Sequence, residues 1–265
     1  MAKRIITSII GLVIFFTVLF AGETAFTVAI SLVTLAMLVE LYTGLKTDNT
    51  INFTGFICSV ILLLGMIFES ISKELTILLC IAIYLAVMVN QHTKVTFKDV
   101  CAHGFLTLFI TLFFGTMIRL YSRFGVYAAL LAFICAWLTD SGAYFTGVAI
   151  GKTKLIPKVS PKKTVEGAVG GVIVAVVLSW VYMYIINKVP SFNQDRALNY
   201  FSITIIALIT SVVSQLGDLV ASAIKRDCAI KDFGSLLPGH GGILDRFDSV
   251  IYITPLVYYM LTLLS

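Results

Sequence analysis

The chain has 265 residues, a mean hydropathy of +1.00, 59% hydrophobic and only 12% charged residues, and a formal net charge of +5. This balance excludes a soluble globular domain, and basic residues confined to breaks between apolar runs argue against nucleic-acid binding. Short alternating strands are absent, so the runs read as transmembrane helices rather than as a barrel.

A polytopic all-α helical bundle of about nine spans is expected, near 5–21, 24–42, 52–69, 74–90, 103–121, 125–149, 166–187, 200–225 and 249–264. Residues 1–102 form an N-terminal region of about four helices. Residues 103–265 form a region that carries two cytoplasmic segments, 150–165 and 226–248. The first run follows Lys3 and Arg4 and lacks a small-residue cleavage site, so it reads as a retained helix. An N-terminus in the cytoplasm leaves only Lys73, Arg119, Arg123, Lys188 and Arg196 of the 19 basic residues outside, which fixes the expected orientation. Cys58, Cys80, Cys101, Cys135 and Cys228 show no C-x-x-C pairing, and neither a disulfide framework nor a zinc site is indicated.

In the first four spans Glu40 sits near a helix end and is expected to reach the interface as a structural residue. His92 and His103 flank a loop and read as interfacial or packing residues. The sixth span changes character at Asp140, about ten residues or 15 Å from its cytoplasmic end. A carboxylate at that depth calls for a polar cavity or a partner. The lysine-rich segment that follows ends in Ser160-Pro161-Lys162-Lys163-Thr164, hydroxyls and ammonium groups placed just before a new helix. Gly167, Gly170 and Gly171 then suit that helix for close packing on another.

In the eighth span Ser211, Ser214, Asp218, Ser222 and Lys225 follow i, i+3, i+7, i+11, i+14, one polar stripe on an apolar helix. Such a stripe serves either a catalytic site or an ion path. After it, Pro238-Gly239-His240-Gly241-Gly242 forms a turn whose backbone can approach an anion closely. His240 either contacts a ligand or fixes the turn. Asp245 and Asp248 come next at i, i+3, with Arg246 between them. Carboxylates among Lys and Arg suggest Mg²⁺ held together with a polyphosphate.

The run Ser222-Ala223-Ile224-Lys225-Arg226, then Lys231-Asp232, Gly234 and Leu237 through Asp248, resembles the signature of the phosphatidate cytidylyltransferases, the CDP-diacylglycerol synthases. The segments 140–144 and 160–167 are similar to that family as well. The resemblance implies transfer of a cytidylyl group from CTP to phosphatidic acid, giving CDP-diacylglycerol and pyrophosphate for phospholipid biosynthesis. It further implies Mg²⁺ dependence with a possible second cation in a paired centre, metal-binding carboxylates at Asp218 and Asp245, a homodimer, and a place in the bacterial inner membrane. Lys225, Arg246 and Asp248 join these two as expected catalytic residues. Asp140, Ser160, Lys162, Lys163, Ser222, Arg226, Lys231, Asp232, Gly239, His240, Gly241 and Gly242 are expected to bind the substrates. A CTP-dependent lipid-alcohol kinase and an ion or lipid transporter are the alternatives.

Overall fold

The structure, a computed structural model, describes residues 2–68, 70–189, 199–236, 239 and 241–264. Among the described residues the chain forms eight helices and one two-stranded sheet, in two compact units. Seven helices are long and apolar enough to cross a bilayer, so this is a polytopic α-helical membrane protein. Eight helices stand where nine spans are expected, and the count of nine is not confirmed.

The first unit comprises Met1–Ser122 and Cys228–Phe247. It holds α1 (Ala2–Phe20), α2 (Glu23–Leu45), α3 (Asn49–Ile67), α4 (Lys73–Asn90) and the first part of α5 (Phe97–Ile150). Asp48 caps α3 by accepting from the Thr50 N–H at 2.8 Å, and Ser72 caps α4 by accepting from Leu75 at 3.3 Å. Ile51, Cys58 and Leu62 of α3 pack with Cys80 and Tyr84 of α4 in one buried cluster. Beside it lies a buried polar knot. The His103 ring stacks on Tyr42 with centroids 4.2 Å apart, and its Nδ1 and Nε2 lie 2.9 Å from the Tyr84 hydroxyl and 3.2 Å from Asn52 Oδ1. Inside a membrane bundle polar side chains must satisfy one another, and these do. His103 is thus a packing residue, while His92 is exposed.

α5 runs for 54 residues, more than twice the roughly 20 that one crossing of a bilayer needs. Gly125 interrupts it with φ 82° and ψ −178°, a conformation that a side chain would strain. The expected spans at 103–121 and 125–149 both fall within this one broken helix.

The second unit comprises Arg123–Asp227 and Asp248–Ser265. The end of α5 leads into β1 (Lys154–Ile156) and β2 (Ser160–Thr164), then α6 (Val165–Ile186), α7 (Tyr200–Asp227) and α8 (Leu244–Leu264), whose first turn belongs to the first unit. The strands pair antiparallel, Lys154 opposite Thr164 and Ile156 opposite Ser160, so what reads as a plain polar loop is in part a hairpin. Thr164 caps α6 by accepting from the Gly167 N–H at 3.1 Å. The Glu166 carboxylate accepts from the Lys152 and Thr153 amides, closing the hairpin's base. α6 then lies directly on α5. A Cβ at Gly167 would meet the Ala143 carbonyl at 2.7 Å, and one at Gly171 the Thr139 carbonyl at 2.8 Å. That close approach is the use these glycines have. α7 is tied to α6 by Gln215 Nε2, which donates to the Ala168 carbonyl at 3.2 Å.

Candidate active site

The polar stripe on α7 exists and organises the second unit. Ser211 and Ser214 are buried, Asp218, Ser222 and Lys225 are half-buried, and Arg226 is exposed at the helix end. Asp218 accepts from Ser222 Oγ at 3.5 Å through Oδ1, while its Oδ2 forms an ion pair with Lys163. The hairpin therefore delivers its last lysine onto the stripe's carboxylate. Asp248, half-buried on α8, lies near enough to Asp218, Lys225 and Asp140 for their charges to act on its carboxylate. Its Oδ1 accepts from the Ser249 N–H at 2.8 Å. Three carboxylates and two ammonium groups thus share one region of an otherwise apolar unit. Ser160 and Lys162 stay on the hairpin, with Lys162 exposed.

Two buried hydroxyls in this unit, Ser214 Oγ and Ser249 Oγ, have no hydrogen-bond partner. One stands a turn before Asp218 on α7, and the other follows Asp248 on α8. Buried polar groups are seldom left unpaired, so orphans beside two carboxylates suit a polar guest.

In the first unit the segment before α8 is clamped. Asp245, 9% exposed, accepts from the Phe233 N–H at 2.9 Å and the Gly242 N–H at 3.1 Å through Oδ2. Gly239 and Gly241 have φ of 81° and 82°, the left-handed conformation that glycine adopts most easily. Lys231, Asp232 and Arg246 are exposed. His240 lies outside the described residues, as do Leu237 and Pro238, and their expected roles are untouched by the geometry.

Glu40 departs from its expected place. Glu40 does not reach the interface: it is 6% exposed, and its two carboxylate oxygens accept from the Ile243 and Leu244 amides at 2.9 and 2.8 Å. The available signal was its position, the sole charged residue of α2 after Glu23, because an ionisable group inside an apolar span points to the bundle interior.

Among the described residues no three His, Cys, Asp or Glu side chains group into a metal site. Mg²⁺ does not ask for one. It is commonly held through one or two carboxylates, with water and substrate phosphates completing the shell. The donor set around Asp218 fits that pattern: hard oxygens, a neighbouring carboxylate, orphan hydroxyls, and a Lys163 ammonium showing that positive charge is already accommodated there.

The sequence profile of the Cytidylyltransferase family matches residues 2–264. A phosphatidate cytidylyltransferase of Bacillus subtilis is 36% identical over 278 aligned residues, covering 100% of this chain and 99% of that protein. The protein of the same name from Staphylococcus haemolyticus is 34% identical, covering 98% and 99%. That from Thermotoga maritima is 32% identical over 203 residues, covering 77% and 74%.

Proposed function

The chain belongs to the cytidylyltransferase family, and from that premise we propose that it transfers the cytidylyl group of CTP to phosphatidate, giving CDP-diacylglycerol and pyrophosphate. The observation that carries this reading is the charged stripe of α7, with Lys163 on Asp218 and with Asp248 and Lys225 close by. A phosphatidate oxygen attacks the α-phosphorus of CTP, and the bond between that phosphorus and the bridging oxygen breaks as pyrophosphate leaves. The attacking oxygen is already anionic, so no general base is required, and the barrier is repulsion and alignment between two anions. Lys163, Lys225, Arg226 and Arg246 supply charge for the phosphates, and Gly239 and Gly241 let the backbone approach them closely. Asp218, and Asp245 by the family resemblance, would hold Mg²⁺, which when bound neutralises and orients the phosphates. A transporter reading would need the stripe to continue toward the start of α7. There the Thr204 hydroxyl is already engaged, donating to the Tyr200 carbonyl and accepting from Trp180 Nε1 at 2.8 Å. The direct assay supplies purified protein with phosphatidate or, in a parallel arm, a lipid alcohol, together with Mg²⁺ and each nucleoside triphosphate in turn. CTP should give pyrophosphate and a nucleotide-linked lipid; a phosphorylated alcohol with CDP release would make the protein a kinase instead.

Neutralising Lys225 or Arg246 is expected to lower kcat/KM by about 100-fold, because charge compensation matters most in the transition state. Steady-state kinetics on quantified protein checks this. Reduced abundance with unchanged specific activity would show these residues to be topology determinants only.

The distribution of basic residues supports a cytoplasmic N-terminus and a site open to the cytoplasm of a bacterial plasma membrane. Ser222→Cys in a cysteine-free background should then react with a charged thiol reagent added from the cytoplasmic side and be protected by CTP with Mg²⁺. Labelling from the opposite side would reverse the orientation. The resemblance also supports a homodimer, which a detergent-corrected mass from light scattering would test.

A further inference from the structure

We propose that Glu40 is a positioning residue for the transfer reaction: from α2 it caps the start of α8 and sets Gly234 and Gly242 in place. The proposal rests on the functional reading above. α8 begins at Leu244, and the first N–H groups of any helix lack intrahelical partners and form its positive end. A helix commonly answers this with Ser, Thr, Asp or Asn at the cap. Here the residue before the helix is Ile243, which has no side-chain acceptor. The acceptor comes instead from 203 and 204 residues earlier in the chain, one Glu40 oxygen for each of the Ile243 and Leu244 amides. The carboxylate is 6% exposed, so its charge is stabilised by these two donors and the helix end rather than by water.

Two glycines of the segment make room for it. A Cβ at Gly242 would lie 2.8 Å from the Glu40 carboxyl carbon, and one at Gly234 would lie 2.7 Å from its Cγ. Gly234 and Gly242 are therefore places where the backbone closes onto Glu40. Asp245 adds a second hold, through the Phe233 and Gly242 amides. Between them the two carboxylates take the amides of Phe233, Gly242, Ile243 and Leu244, and Arg246 follows directly on the helix. The Ile243 and Leu244 amides are committed to a protein carboxylate, so substrate phosphate is bound by other donors.

The test uses the full chain in lipid nanodiscs, with Glu40→Ala, Glu40→Gln, Gly234→Ala and the Glu40→Ala/Gly234→Ala double variant. Glu40→Ala should raise the KM for CTP about tenfold, since a displaced first turn misplaces the groups that meet the substrate, and should speed amide exchange across 233–247. Glu40→Gln keeps an acceptor oxygen and should recover part of both changes. Gly234→Ala should reproduce the KM shift alone and add nothing in the Glu40→Ala background, as expected for two changes acting through one contact. A merely destabilising role would lower the active fraction and leave KM at its wild-type value. That result, or additive effects in the double variant, would overturn the proposal. If Glu40→Ala does not fold, Glu40→Gln and Gly234→Ala must still show the smaller and larger shifts. A wild-type protein inert toward CTP and phosphatidate would sink the functional reading, while the exchange measurement would still judge the hold of Glu40 on the segment.

Discussion

Asp218→Asn is expected to lower turnover by at least ~100-fold, about 2.7 kcal/mol of transition-state stabilisation, while folded protein is recovered in wild-type amount. Asp218 stands at the centre of the α7 stripe, with Ser222 on one oxygen and Lys163 on the other. Asparagine fills the same volume and can keep the Ser222 hydrogen bond, so packing is preserved. What disappears is the negative charge, which is what a hard cation and the neighbouring ammonium groups respond to. Lys163→Met should be milder, because Lys225 and Arg226 remain close in sequence on the same helix. The measurement is single-turnover formation of the nucleotide-linked lipid at saturating Mg²⁺. Activity above about a tenth of wild type, a loss below ~1.4 kcal/mol, would remove Asp218 from the cation site.

How far the fold could be read in advance depended on whether the signal was local. The runs expected at 166–187 and 200–225 correspond to α6 at Val165–Ile186 and α7 at Tyr200–Asp227, because an apolar span announces itself by length and composition. The stripe on α7 was legible for the same reason: all its members share one helix, and helical spacing alone puts them on one face. The glycines of α6 were legible as packing residues, although their partners Thr139 and Ala143 were not. The hairpin at 154–164 was hidden by a composition of Lys and Pro that carries little strand preference, and its pairing is only a few residues long. The break expected between 121 and 125 was legible as well: the helical backbone is interrupted at Gly125, and a Gly in an apolar stretch reads as a boundary.

The site shows the same division more sharply. Lys163 was expected to meet a phosphate, and its pairing with Asp218 55 positions later could not be inferred from either neighbourhood. Glu40 near a helix end reads as an interfacial residue; its partners are main-chain amides more than 200 residues away, which carry no side-chain signature. Backbone donors are invisible to motif reading, yet they take both oxygens of Glu40 and Oδ2 of Asp245. A signature rich in Gly and Asp announces that a segment is specialised without saying which of its carboxylates faces the ligand and which faces its own backbone.

Asp245 is where those two roles must be separated. Its Oδ2 accepts from the Phe233 and Gly242 amides in a buried setting, and the family resemblance assigns it to the cation. Asp245→Asn keeps an oxygen for those two amides but withdraws the charge. It should therefore fold as wild type and lose turnover by at least ~100-fold. Asp245→Ala withdraws the oxygen as well and leaves two buried donors unsatisfied, at about 1–3 kcal/mol each. It should lose turnover and also lower the melting temperature, with faster amide exchange around Phe233 and Gly242. The two variants together decide the matter. If Asn keeps near-wild-type turnover and only Ala fails, the carboxylate holds the backbone and does nothing at the cation, and the metal site must be rebuilt around Asp218 and Asp248. If Asn fails with the segment intact, the charge itself is required, and the oxygen not bonded to Phe233 and Gly242 is the one that faces the chemistry.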